Sequence, residues 1–258
     1  MESLFERVPP ACVLAEFLGT LLFQFFGGAC SSTAVANGLT VAALGNGLCL
    51  AVLVYSTAGI SGGHLNPAVS LGFWVNGRLG KMRFMLYVAA QLLGAIVGAV
   101  MLRICLPPSF LGHPFVTQGN LSAAHPVQVF ILEFLATFVL VYSVFATAVD
   151  QKGAAKNAAP LTIGLSVAAG IFAVGPFTGG SINPARTIGA AFAFWDADNI
   201  IIYILATLGA GFAAGTFYNS FFLDMQAPQP EERDNEPNEF WDAKAREMTN
   251  SKATKSMY

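Results

Sequence analysis

Ser61-Gly62-Gly63-His64-Leu65-Asn66-Pro67-Ala68 returns as Thr178-Gly179-Gly180-Ser181-Ile182-Asn183-Pro184-Ala185, and Asn66 and Asn183 stand 183 − 66 = 117 residues apart. Other pairs keep that register: Glu16/Glu133, Phe17/Phe134, Thr20/Thr137, Gly47/Gly164, Gly72/Gly189, Gly94/Gly211 and Gly98/Gly215. One half of the chain is therefore a copy of the other.

Around the repeated stretch the chain is apolar. Hydrophobic residues make up 55% of 258 residues, charged residues 11%, and the mean hydropathy is +0.59, which excludes an ordinary soluble domain of this length. Apolar runs lie at about residues 11–30, 41–60, 84–106, 127–149, 160–177 and 200–223, each near the ~20 residues a helix needs to cross hydrocarbon. This predicts an all-α membrane protein with three spans per repeat. An odd number of spans inverts the second copy, so a pseudo-two-fold axis lies in the membrane plane and the two repeated loops enter from opposite faces.

Each loop reads as the start of half a span. Asn is a preferred helix N-cap, and Pro fits the first helical position, where its missing N–H would be unpaired anyway. From Pro67 to about Asn76, and from Pro184 to about Trp195, roughly ten residues at ~1.5 Å rise give ~15 Å, half of a ~30 Å core. Two such half-helices meet N-terminus to N-terminus at the midplane. Irregular backbone at that depth requires burial in protein or a watery cavity, which implies a pore.

Arg7, Arg78, Lys81, Arg83, Lys152 and Lys156 fall on the side shared by the N-terminus, which the positive-inside rule makes cytoplasmic, with both termini. The extreme N-terminus, with Glu2 and Glu6 and no basic region, does not read as a removed signal peptide. Residues 1–223 are expected to form the channel domain, with repeats at about 11–106 and 127–223. Residues 224–258 hold eight acidic and five basic residues with Pro228, Pro230 and Pro237, the composition of a disordered acidic cytoplasmic tail.

With two Asn-Pro-Ala loops in register and Glu16 and Glu133 in the first helix of each repeat, the chain resembles the aquaporins, the major intrinsic protein family, from about Ala11 to Leu223. The resemblance implies a bundle of six transmembrane helices plus two re-entrant half-helices. It also implies a homotetramer with one pore per subunit, and Glu16 and Glu133 bracing the loops by accepting backbone N–H bonds.

In such a pore the half-helix macrodipoles bring roughly half a positive charge each to the midplane. Asn66 and Asn183 offer N–H donors to a passing water. A water that accepts from both turns its hydrogens outward and interrupts proton relay, while the positive ends repel cations. Gly62, Gly63, His64 and Leu65, with Gly179, Gly180, Ser181 and Ile182, are expected to supply pore carbonyls. Arg186 follows the second Asn-Pro-Ala; a guanidinium inside a membrane segment costs about 2.5–3.5 kcal/mol on insertion scales, so it is expected to face water or a partner. The resemblance puts it in the outer constriction with Asn46, Ile171 and Gly180.

Strict water channels of the family usually carry Phe, His, Cys or Thr, and Arg at those four places, so Asn46, Ile171 and Gly180 imply a wider opening with Asn46 as a polar handle. The stretches 146–150 and 175–181 are most similar to tonoplast intrinsic proteins, which commonly have His where Asn46 stands. Gln118 falls where that branch has a loop histidine near the arginine; an ordinary solvated glutamine is the other reading. Glycerol channels usually carry Asp after the arginine, a Pro-Leu pair in the last span and a basic residue at a third site; here those places hold Thr187, Tyr203, Ile204 and Ala191.

The expected function is a passive channel for water and small neutral solutes such as ammonia, excluding protons and ions; urea, hydrogen peroxide and glycerol form the broader alternative. A secondary transporter also uses inverted repeats and broken helices, but ionisable residues on a substrate path are not evident, nor is the acid-base cluster of an enzyme. Neither cofactor nor metal is implied, nor a nucleic-acid partner. Cys12, Cys30, Cys49 and Cys105 lack C-x-x-C spacing and read as core thiols. Gln24 and Gln91 read as interhelical hydrogen-bonding residues, and His64 as a packed loop residue. The expected address is a plasma or vacuolar-type membrane.

Overall fold

The computed structural model describes residues 8–110, 125–153, 156–197 and 199–223. The chain divides into units of residues 1–223 and 224–258; the expected tail and Gln118 lie outside the described residues. Among these residues the structure is helical throughout: α1 (Pro10–Asn37), α2 (Leu39–Ser61), α3 (Pro67–Val75), α4 (Lys81–Cys105), α5 (Pro126–Val144), α6 (Ala159–Thr178), α7 (Pro184–Phe194) and α8 (Ile200–Phe221). Six are long and apolar enough to cross a membrane; α3 and α7, at 9 and 11 residues, are the half-helices. The chain is an integral, multi-pass membrane protein.

Local chemistry sets the breaks. Gly38, at φ 84°, separates α1 from α2. The α5 start at His125 is a capping box, in which Val127 N–H donates to His125 Nδ1 and His125 N–H donates to Gln128 Oε1. A π-turn at Phe145–Val149 ends α5, and beyond it Tyr218 Oη donates to Asp150 Oδ2 at 2.9 Å, tying that turn to α8.

The halves are exchanged in space. α3 of the first repeat packs on α8 of the second, α7 of the second packs on α4 of the first, and the equivalent helices α2 and α6 pack on each other. That last contact is built on glycine: a Cβ at Gly47 would lie 2.7 Å from Gly164 O, and one at Gly164 would lie 2.3 Å from Gly47 O. This reciprocal approach of equivalent residues marks the pseudo-two-fold relation, and close backbone packing of this kind is how helices associate in lipid. Outer faces stay apolar, with Leu14, Leu18, Leu22 and Phe26 exposed on α1 and Leu44, Leu48, Val52 and Tyr55 on α2. In a bilayer such a face is covered by lipid or another subunit.

Candidate functional site: the paired half-helix loops

Both loops hang from a buried carboxylate. Glu16 Oε1 accepts from His64 N at 2.9 Å and Ser61 Oγ at 2.6 Å, and Oε2 accepts from Leu65 N and Gln91 Nε2, each at 2.7 Å. Glu133 repeats this with Ser181 N at 2.9 Å, Thr178 Oγ1 at 2.6 Å and Ile182 N at 2.9 Å. Both glutamates are fully buried, and each collects donors that the irregular backbone would otherwise leave unpaired. Two tyrosines complete the hinges: Tyr87 Oη donates to Ser61 O and Tyr203 Oη to Thr178 O, both at 2.7 Å.

The loops share one unusual backbone path. Gly62 and Gly63 have φ of 97° and 63°, Gly179 and Gly180 have 82° and 63°, and Leu65 and Ile182 are held at 49° and 57°. Positive φ is permitted to glycine and strained for Leu and Ile. The carboxylate bonds to both neighbouring amides hold the two strained residues in place. The path then reaches Asn66 and Asn183, whose Oδ1 atoms accept from Ala68 N and Ala185 N at 2.9 Å and cap α3 and α7.

The remaining amide atoms join the two repeats. Asn66 Nδ2 donates to Ile182 O and Asn183 Nδ2 donates to Leu65 O, both at 2.9 Å. Each asparagine is thus clamped by its own half-helix and by the opposite loop, which brings Asn66, Pro67, Ala68, Asn183, Pro184 and Ala185 into one buried centre. An amide nitrogen has two hydrogens, so each Nδ2 keeps one beyond the bond that holds it.

Arg186 lies in the first turn of α7, 4% exposed, with Nη1 donating to Gly180 O at 2.6 Å and Nη2 to Ser31 Oγ at 3.2 Å. Ile171 packs on the same loop, since a Cβ at Gly180 would lie 3.1 Å from Ile171 Cγ1. Of the carbonyls expected in a pore ladder, those of Leu65, Gly180 and Ile182 each already accept from Asn183, Arg186 and Asn66. Gly62, Gly63, His64, Gly179 and Ser181 lie on the same two loops. His64 is buried, with Nδ1 3.0 Å from Ser70 Oγ, and in the second loop Ser181 Oγ meets Thr187 Oγ1.

Asn46 differs from expectation. Its Nδ2 shares two hydrogens among Gly27 O at 3.1 Å, Ser31 Oγ at 3.0 Å and Ala42 O at 2.8 Å, and its Oδ1 is buried against Gly27. The amide hydrogens expected to greet solute are directed into the wall, where Gly27 O and Ser31 Oγ of α1 and Ala42 O of α2 lie within 3.1 Å. One other expectation is corrected. Cys105 is exposed while Cys12 is buried, so the thiols are not all core residues. Gln91 Nε2 bridges Glu16 and Ser70, while the Oε1 atoms of both Gln91 and Gln24 are buried with no partner among the described residues.

A profile described as major intrinsic protein matches residues 10–218. The chain is 40% identical over 228 residues to "Probable aquaporin TIP2-2" of Arabidopsis thaliana, covering 84% of this chain and 89% of that protein. It is 39% identical over 221 residues to "Aquaporin TIP2-3" of the same plant, covering 81% and 86%. Among solved structures, the X-ray structure of the aquaglyceroporin from Plasmodium falciparum matches with a TM-score of 0.69 at 23% identity, over 81% of this chain and 95% of that one, a likeness of fold. With a profile that spans both repeats and relatives that run nearly the whole length, the chain belongs to the major intrinsic protein family, on its tonoplast intrinsic protein branch.

Proposed function

We propose that this chain is a passive channel that carries water, with ammonia beside it, past Asn66, Asn183 and Arg186 while turning back protons and ions. The observation that carries the reading is the reciprocal clamp at the centre: Asn66 Nδ2 on Ile182 O and Asn183 Nδ2 on Leu65 O. Each amide keeps one N–H in a fixed direction beside the positive end of a half-helix. A water accepting from both has no lone pair left for a neighbour's proton, so the file conducts water and breaks proton relay. The family is one of channels, not enzymes.

Ammonia follows from the outer ring. Ile171 and Gly180 bring an apolar wall and no side chain, and Asn46 folds its donors into α1, so the ring is wider than one bearing Phe and His. Arg186 repels ammonium, and only the neutral form crosses. Uptake therefore rises with pH as the ammonia fraction grows. Stopped-flow light scattering on proteoliposomes, with water, ammonia, urea and glycerol compared, tests this. Ammonia permeability equal to that of empty vesicles, beside clear water conduction, overturns the ammonia claim.

The apolar faces of α1 and α2 fit a homotetramer embedded in lipid. Arg78, Lys81, Arg83 and Lys152 favour cytoplasmic termini, and branch membership favours a vacuolar-type over a plasma membrane. Epitope accessibility at each terminus in sealed vesicles tests the orientation.

A further inference from the structure

We propose that Ser31 is a positioning residue for the selectivity ring, and that Asn46 acts through it and not by touching solute. The inference rests on Arg186 being a filter residue. Ser31 lies on α1, 155 residues from Arg186 in sequence, and is 5% exposed. Its hydroxyl is fully engaged: it donates to Gly27 O at 3.0 Å and accepts from Asn46 Nδ2 at 3.0 Å and Arg186 Nη2 at 3.2 Å. One O–H donor and two lone pairs are all a serine has, so each neighbour fixes the others.

The direction of the hydroxyl is decided by the backbone. Within a helix the Gly27 carbonyl captures the Ser31 proton, which leaves only lone pairs towards Arg186 and Asn46. The Asn46 amide has two hydrogens for three acceptors: Ala42 O, Gly27 O and Ser31 Oγ lie at 2.8, 3.1 and 3.0 Å, so one N–H is shared, and its reach to Ser31 Oγ occupies one lone pair and holds the serine in that rotamer. The other faces the guanidinium, whose Nη1 is held on the far side by Gly180 O. Gly27 permits the arrangement, because a Cβ there would lie 2.4 Å from Asn46 Oδ1. Arg186 is thereby tied at both terminal nitrogens to the wall, and the width of the ring is set by a residue that solute does not meet.

Without the Ser31 acceptor, Nη2 turns to the file for a partner. Water accepts from the guanidinium and still has a lone pair for the next molecule, whereas ammonia has one lone pair in total. Releasing Arg186 therefore favours water over ammonia. In Ser31→Ala proteoliposomes the ammonia-to-water permeability ratio, which is independent of reconstituted density, falls about fivefold, or about 1 kcal/mol at 1.4 kcal/mol per tenfold. Asn46→Ala, which keeps the serine but frees its rotamer, moves the ratio in the same direction, and Ser31→Thr, which keeps the hydroxyl, restores it. Arg186→Val separates the causes: in that background Ser31→Ala leaves the ratio where Arg186→Val alone put it. An unchanged ratio in both Ser31→Ala and Asn46→Ala overturns the inference, as does an equal shift with and without Arg186. If Arg186→Val itself leaves selectivity untouched, the reading of Arg186 as a filter residue falls, and this inference falls with it.

Discussion

At the scale of single residues, the proposed ring of Arg186, Asn46, Ile171 and Gly180 contains no thiol. Cys12 is buried, Cys30 and Cys49 are half-buried in α1 and α2, and Cys105 is exposed at the end of α4. Mercurials are expected to label Cys105 without blocking water flux. A thiol placed at Gly180 would sit at φ 63° with its Cβ 3.1 Å from Ile171 Cγ1, so Ile171→Cys is the better reporter and should confer block. Strong mercurial inhibition of the unaltered protein, lost on mutating one native cysteine, would contradict the placement of the ring. Asn66 and Asn183 could be read from sequence because an Asn-Pro helix start is a local signal. The inward turn of Asn46 could not, since it depends on which carbonyls of α1 lie opposite. Ser31 was missed for the same reason; in the sequence it is one of three adjacent hydroxyl residues, Ser31, Ser32 and Thr33, and nothing local singles it out. Tyr87 and Tyr203 escaped because they are 203 − 87 = 116 residues apart, one off the register that pairs Tyr87 with Ile204.

At the scale of elements, α8 offers a paired test of close packing. A Cβ at Gly211 would lie 2.2 Å from Ala68 O in the half-helix α3, while one at Gly209 meets nothing nearer than 3.7 Å, on the Phe134 ring. Gly211→Ala should therefore destabilise the fold by about 1–3 kcal/mol or more, as overpacking does, and Gly209→Ala should be tolerated, measured as thermal unfolding in detergent. Equal effects would mean that α3 and α8 yield to each other more readily than the geometry allows. The braces give a second comparison. Glu133→Ala leaves the buried N–H groups of Ser181 and Ile182 without acceptors, at about 1–3 kcal/mol each, and should lower the melting temperature and the yield of folded protein. Unfolding unchanged from the parent would remove the carboxylate from its bracing role. Span positions were legible to within a few residues, because length and apolarity largely determine them in a bilayer, except at the end of α1, which runs to Asn37 against an expected end near residue 30. The π-turn at Phe145–Val149 was not; just beyond it the chain is held by the contact between Asp150 and Tyr218, 68 residues apart, which no local pattern reveals.

At the scale of the whole molecule, duplication explains why so much of the fold was readable. A 117-residue offset constrains both halves at once, and the inverted sense follows from counting spans. The exchange of half-helices between repeats required the structure, because nothing in the sequence says that α3 leans on α8 and α7 on α4. From that exchange comes the central claim, that two loops clamped to each other at Asn66 and Asn183 make one pore for water that breaks proton relay. The most direct measurement is stopped-flow shrinkage of proteoliposomes carrying an internal pH dye, with osmotic water flux and proton flux recorded on the same preparation. The account predicts water permeability well above that of empty vesicles, linear in the osmotic gradient and indifferent to counter-ions, with proton flux no greater than in the empty control. Water permeability equal to the control, or proton flux rising in step with water flux, would contradict it.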